Sequence, residues 1–180
     1  MFNRSPTRRL AMAAMTVMAM GLSGTLALPA LAAGPVTEKL LVEGAVRAPL
    51  MLTVDDLRAF HAEQIGTFTM TKQIDGREQS TTVRGVRLSA VLERAGVVTQ
   101  DKHAWKSMAV LVTASDGYKV AFSWPELTNT EVGAGVLVVF ERDGQALDDG
   151  EGRIALLSGR DLRAGPRHVK WLSRIEIRPL

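Results

Sequence analysis

Beyond residue 33, short runs of alternating apolar and polar residues have the pattern of half-buried β-strands, and the more continuously apolar runs at 108–115 and 136–141 have that of buried strands. The runs predicted to form strands are 39–46, 66–73, 80–83, 108–115, 118–124, 136–141, 154–157 and 169–177. Asp-Gly pairs at 75–76, 116–117 and 143–144 fall at the ends of such runs and predict tight hairpin turns. The pattern therefore predicts a domain in which most neighbouring strands pair antiparallel.

Two stretches show helical spacing instead. Thr53 is followed three residues later by Asp56, a capping signal, and predicts a short helix running to about Phe60. The apolar face of a second helix is formed by Leu88, Val91, Leu92 and Ala95. Gly96 is expected to end that helix. Hairpin signals together with two short helices predict a largely antiparallel, β-rich α+β fold.

Two further stretches are interpreted as loops. Residues 133–135, Gly-Ala-Gly, precede a predicted strand, whereas the glycines of a dinucleotide-binding motif follow a strand and open a helix. Residues 148–151, Asp-Asp-Gly-Glu, lack the spaced ligands of a calcium-binding loop and are interpreted as a solvated acidic turn.

The first 33 residues have the layout of a signal peptide. Arg4, Arg8 and Arg9 precede an uncharged apolar segment at 10–28, and residues 29–33 offer an A-x-A cleavage pattern. We predict a leader at 1–33, a single domain at 34–180 and a periplasmic or secreted location. The adjacent arginines leave open whether export follows the general or the twin-arginine route. Retention of the segment as a membrane anchor is the alternative; removal leaves no membrane span.

Charge and cysteine content narrow the function. All 19 acidic residues and 19 of the 22 basic ones lie beyond the leader, so the predicted mature chain is formally neutral. This argues against nucleic acid as a partner, because such binding needs a basic face. The chain has no cysteine, which excludes disulfides, thiolate nucleophiles and cysteine-based metal sites. His61, His103 and His168 show no metal-ligand spacing, so no metal ligand is predicted.

Positive charge concentrates in one late segment, the basic loop (residues 159–172), which contains Arg160, Arg163, Arg167, His168 and Lys170. Glycines let a backbone approach a ligand closely, and arginine presents a fork of donors that matches oxyanions. The loop therefore predicts a site for a small anionic ligand. A solvated basic turn between two strands is the alternative.

The order of motifs resembles the molybdopterin-binding domain of the sulfite oxidase family. The resemblance rests on residues 40–46 (Leu-x-Val-x-Gly-x-Val), 52–57 (Leu-Thr-x-x-x-Leu), 84–97 (Arg-Gly-Val-x-Leu, then Val-Leu and Ala-Gly-Val), 115–118 (Ser-Asp-Gly-Tyr) and 165–177 (Gly-Pro-Arg-His-Val-Lys-Trp-Leu, then Ile-Glu-Ile). It implies a β-rich mixed fold that holds molybdenum on a pterin cofactor. It also implies that Arg167, His168 and Lys170 grip the pterin and its phosphate, with Arg160 added because it lies in the same loop.

The chain departs from that family at one position. Family members supply a cysteine thiolate to molybdenum from the segment before the helix at 88–95, and here Met70 stands roughly in its place. A thioether is a neutral, weak donor, whereas a thiolate brings charge. Two functions are therefore expected: an exported molybdopterin-binding oxidoreductase with an altered metal site, or a cofactor-free periplasmic domain that binds an anion or a protein. The first implies an electron-transfer partner.

Overall fold

The computed structural model describes residues 34–99 and 103–180. Within them the strands are β1 (Lys39–Gly44), β2 (Leu50–Thr53), β3 (Ile65–Ile74), β4 (Arg77–Arg87), β5 (Met108–Ala114), β6 (Lys119–Ser123), β7 (Val136–Arg142), β8 (Gln145–Ala146), β9 (Ala155–Ser158), β10 (His168–Val169) and β11 (Leu172–Pro179). The α-helices are α1 (Val54–Arg58), α2 (Leu88–Ala95), α3 (Trp124–Asn129) and α4 (Glu131–Ala134). Short 3-10 turns lie at Ala62–Gln64, Ala104–Ser107 and Gly165–Arg167.

The strands form two sheets. The first has the order β2-β1-β11-β5-β6, and its β1–β11 pair is parallel while its other pairs are antiparallel. The second has the order β10-β9-β7-β4-β3 with β8 beside β7, and all of its pairs are antiparallel. The predicted class, a β-rich α+β fold with mixed sheets and short helices, is confirmed.

Strand β7 separates two apolar clusters. Val136, Val138 and Phe140 point into the main core, which also contains α2 and the inner face of the first sheet. Leu137 and Val139 point to the opposite face and join a smaller cluster. Side chains alternate between faces along a strand, so an uninterrupted apolar run indicates burial on both sides. The smaller cluster lies beneath the site described below.

The turn chemistry agrees with the sequence. Asp75 and Gly76 between β3 and β4 both have positive φ, as do Asp143 and Gly144 between β7 and β8. Two successive positive φ values define the hairpin turn that matches strand twist, and Asp-Gly adopts it readily. Gly96 ends α2 in the left-handed conformation, as predicted.

Two local predictions were wrong, and strand β2 was missed. Residues 133–135 do not form only a loop, because Glu131–Ala134 is a helical turn whose start is capped by the Thr130 hydroxyl. The run 169–177 is not one strand, because Trp171 has a φ of +49° and separates β10 from β11. Strand β2 was not predicted; it pairs with β1 from beyond Pro49.

The capping prediction at Thr53 is confirmed. Its hydroxyl accepts a hydrogen bond from the Asp56 backbone N–H at 3.2 Å, and the Asp56 carboxylate accepts one from the Thr53 N–H at 2.9 Å. Thr53→Ala is expected to lower the free energy of unfolding by about 1 kcal/mol, since the Asp56 N–H loses its acceptor and the Asp56 carboxylate loses the hydroxyl donor. Urea unfolding followed by circular dichroism measures the change. Thr53→Ser, which keeps the hydroxyl, is the control.

Candidate functional site

An open hollow of about 400 Å³ lies between β3 and the basic loop. Its apolar wall includes Phe68, Met70 and Leu157, which belong to or pack on the smaller cluster. Asp161 and His168 supply polar groups to the lining. A flat organic group with polar edges fits such a surface, because apolar walls bury its faces while a few polar groups orient it.

Gly159 allows the basic loop to lie against β3. A Cβ at this position would meet the ring of Phe68 at 2.6 Å, closer than any real contact. The glycine is therefore required by close packing rather than by an unusual backbone angle. It sets the distance between the loop and the wall of the hollow.

Arg167 is partly buried and is held by carboxylates of the same chain. Its Nε donates to Asp161 at 2.6 Å, its Nη1 donates to Glu126 of α3 at 2.7 Å, and its Nη2 also pairs with Asp161. The guanidinium lies 4.6 Å from the ring centre of Phe122. All three of its nitrogens are thus engaged. Arg167 ties the basic loop to α3 and does not line the hollow.

The charges of this pair are mutually stabilised. Burial alone would raise the pKa of Asp161, but hydrogen bonds from Arg167 and Ser158 outweigh that effect and lower it. Hydrogen bonding to Asp161 raises the pKa of Arg167 despite partial burial, with a further contribution from Glu126. Both groups are therefore charged at neutral pH.

Glu151 is the centre of a second charge cluster. Its carboxylate is 3.0 Å from the Nζ of Lys170, 3.2 Å from the Nε2 of His168 and 3.1 Å from an Nη of Arg142. Burial would raise the pKa of Glu151, but hydrogen bonds from His168 and Lys170 and the charge of Arg142 lower it to about 2. The interpretation of residues 148–151 as a solvated turn was wrong here, because Glu151 is only 8% exposed.

Backbone contacts explain that burial. The Trp171 N–H donates to the Glu151 carbonyl at 2.9 Å, and the Trp171 indole donates to the Asp149 carbonyl at 2.9 Å. A Cβ on Gly152 would meet the Trp171 side chain at 2.4 Å. These hydrogen bonds and the close packing of Gly152 on Trp171 therefore hold the acidic turn (residues 148–151) against the basic loop. No local sequence signal identifies Glu151, since this packing depends on residues distant along the chain.

The four predicted cofactor-binding residues do not converge on one point. His168 lines the hollow beside Met70, and it shares Glu151 with Lys170. Arg160 is half-exposed and pairs with Glu131 of α4. Arg160, Arg167 and Lys170 are absent from the lining of the hollow. The structure thus places Arg160, Arg167 and Lys170 around the hollow, in contact with carboxylates of the same chain.

Metal-binding residues are not grouped in the described part of the chain. No set of three or more histidine, cysteine, aspartate or glutamate side chains there could hold an ion. His61 is exposed beside a 3-10 turn, as expected for a surface residue.

These observations define a class of protein: a strand-rich domain with a hollow between one strand and a basic loop. The chain belongs to the oxidoreductase molybdopterin binding domain family, whose profile matches residues 27–179. It is 31% identical over 165 residues to mitochondrial sulfite oxidase of Macaca fascicularis, a match covering 81% of this chain and 30% of that protein. The predicted resemblance is confirmed.

Solved structures show the same fold. The sulfane dehydrogenase SoxCD from Paracoccus pantotrophus superposes with a TM-score of 0.58 at 22% identity, covering 77% of this chain and 37% of that one. The chain spans about a third of the length of either protein, 30% of the oxidase and 37% of the dehydrogenase chain.

The residues present fit the family's cofactor only in part. A pterin ring suits the volume and the apolar wall of the hollow. A molybdenum atom held by a protein thiolate does not fit, because the chain contains no cysteine and the sulfur at the hollow is the thioether of Met70. The cations that would hold a phosphate already contact carboxylates.

Proposed function

We propose that this protein is an exported molybdopterin-binding-domain protein with an altered metal site, which holds the organic part of the cofactor in the hollow without a protein sulfur ligand to molybdenum. One observation carries the proposal: Met70 of β3 and His168 of the basic loop line the same hollow. Met70 brings an apolar surface to the pterin ring, and His168 brings a polar group to the edge of that ring.

The other three predicted residues, Arg160, Arg167 and Lys170, lie outside the lining of the hollow. Lys170 is half-exposed and shares one carboxylate, Glu151, with Arg142. Positive charge therefore exceeds negative charge there, which favours a phosphate or another small anion. Arg167 holds the loop in shape through Asp161, and Arg160 does so through Glu131. We propose that all four residues contribute to cofactor binding: His168 by contact in the hollow, Lys170 by attracting the phosphate outside it, and the two arginines by positioning the loop.

Export is proposed from the layout of residues 1–33, which lie outside the described residues. Within the described residues no helix is long and apolar enough to cross a membrane. We propose a periplasmic protein, with another periplasmic protein, such as an electron-transfer partner, binding near the hollow.

The test uses protein recovered from the periplasm of a host that makes the cofactor. About one pterin per folded chain is expected, with less molybdenum than pterin. Met70→Cys is expected to raise the molybdenum content, because a thiolate is a stronger ligand than a thioether. Met51→Cys, at an exposed methionine of β2, is the control and should leave the molybdenum content unchanged. Folded protein that lacks pterin would contradict the proposal.

A cofactor-free binding domain is the second candidate. The pairing of Arg160, Arg167 and Lys170 with internal carboxylates favours it, because the loop keeps its shape without a bound anion. A ligand that binds only the folded state raises the thermal midpoint. Equal midpoints for protein from hosts with and without cofactor synthesis would support this candidate, whereas a lower midpoint without cofactor would support the first.

A further inference from the structure

Strand β3 forms an unprotected edge of the second sheet. It pairs with β4 through ten consecutive residues without a register shift, and its other side meets no strand of the described residues. Sheet edges are normally protected by short length, prolines, bulges or charges. The outer strands β2, β6 and β10 have four, five and two residues. By contrast, β3 has ten residues, no proline and one charged residue, Lys72.

The hairpin turn shows which backbone groups of β3 face outward. Ile74 and Arg77 flank the two-residue turn, so they form a hydrogen-bonded pair, and such pairs alternate along an antiparallel ladder. The N–H and C=O groups of Thr67, Thr69 and Thr71 therefore point away from β4. No backbone hydrogen bond from these three residues to another element is found among the described residues. They are exposed.

The sequence of this segment reads almost the same in both directions. Thr67-Phe68-Thr69-Met70-Thr71 is symmetric about Thr69 in its alternation of hydroxyl and apolar residues. Antiparallel pairing about a two-fold axis at Thr69 places Thr67 opposite Thr71 and Phe68 opposite Met70. The outward-facing N–H and C=O groups of one copy then lie opposite the same groups of the other copy. The apolar side chains of the two strands then lie on the same face of the joined sheet.

We propose that β3 pairs with β3 of a second copy of this chain, joining the two second sheets into one. The contact is isologous, as expected for a closed dimer. In this register strand position 72 falls opposite Gly66 and not opposite position 72 of the other copy. A different protein strand would not require the symmetry of residues 67–71, which is why a second copy is favoured as the occupant.

The dimer would also change the surroundings of the hollow. Phe68 and Met70 line it, so the partner strand would bring a second apolar pair to its open side. Leu162, fully exposed at the tip of the basic loop, lies on that same hollow. Covering such apolar surface contributes to association. The proposal itself does not depend on what the hollow binds.

Cysteine cross-linking tests the register, because the chain has no cysteine of its own. Across the proposed axis the two copies of residue 69 have Cα atoms about 5.5 Å apart, within reach of a disulfide. Thr69→Cys is therefore expected to form a covalent dimer under mild oxidation. Thr82→Cys is the matched control: it removes the same hydroxyl contact, 2.9 Å between Thr69 and Thr82, but lies a strand further from the axis. It should not cross-link.

Sedimentation of the full mature chain is the second measurement. The wild type is expected to be a dimer at micromolar to hundred-micromolar concentration, and Thr69→Lys should weaken the dimer about fivefold by placing like charges across the axis. Thr82→Lys should not. A monomer throughout this range, a dimer that Thr69→Cys fails to cross-link, or equal cross-linking by both cysteine variants would overturn the proposal.

Discussion

Replacing Glu151 with glutamine is expected to lower the free energy of unfolding at pH 7 by about 3 kcal/mol, because it leaves two cations, Arg142 and Lys170, around a buried neutral group. The carboxylate side chain is 11% exposed, so solvent screens its charge only weakly. Arg142 and Lys170 then lose the negative charge that each of them contacts, while the amide oxygen of glutamine can still accept from His168. Asp149→Asn, in the same turn at an exposed carboxylate, is the control and should change stability by less than about 0.5 kcal/mol.

The same variant should alter the dependence of stability on pH. The pKa of Glu151 is lowered from 4.5 to about 2, so the folded state binds its proton less readily than the unfolded state. Its contribution is fully present above about pH 4.5 and is lost as the pH falls through about 2. Wild type should therefore lose stability in this window more steeply than Glu151→Gln. Asp161 and Asp56, whose pKa values are also lowered, contribute to the slope that remains.

Urea unfolding followed by tryptophan fluorescence at several pH values between 7 and 3 provides the measurement. The difference between wild type and Glu151→Gln should narrow as the pH falls. A difference that stays constant across this range would show that Glu151 is not linked to folding through its charge. In that case the cluster of Glu151, Arg142, His168 and Lys170 would contribute to the free energy of unfolding by packing alone.

Arg167→Ala is expected to lower the free energy of unfolding by about 2 kcal/mol even without ligand. The variant leaves Asp161 and Glu126 without their shared cation and removes the stacking on Phe122. For a domain of this size the thermal midpoint should fall by about 4–8 °C. Arg167→Lys should recover part of the loss, since a lysine supplies the charge but cannot bridge both carboxylates with a planar fork.

Differential scanning calorimetry of apo protein distinguishes an anchor from a ligand-binding group. Arg163→Ala, at an exposed arginine of the same loop, is the matched control and should leave the midpoint within about 2 °C of wild type. An unchanged midpoint for Arg167→Ala would mean that the arginine is free to serve a ligand. A large loss in apo protein would instead assign it to the shape of the loop.

Local sequence signals predicted the secondary structure well where the cause is local. The apolar runs of β5 and β7, the Asp-Gly turns, and the capping residue of α1 each depend on neighbours within a few positions. The prediction was wrong at 133–135, where Thr130 caps a short helix, and at Trp171, whose positive φ no local pattern announces. The parallel pairing of β1 with β11 joins the two ends of the domain and has no local signal.

By itself, the sequence determined the fold class, the basic loop and the absence of a cysteine ligand, because composition and periodicity are properties of the chain as written. Only the tertiary structure decided which charges meet. It places the Glu151 carboxylate in contact with His168 and Lys170, and the Asp161 carboxylate in contact with Arg167. Charges act through space, so contacts between distant segments decided that Arg160, Arg167 and Lys170 of the basic loop contact carboxylates of the same chain.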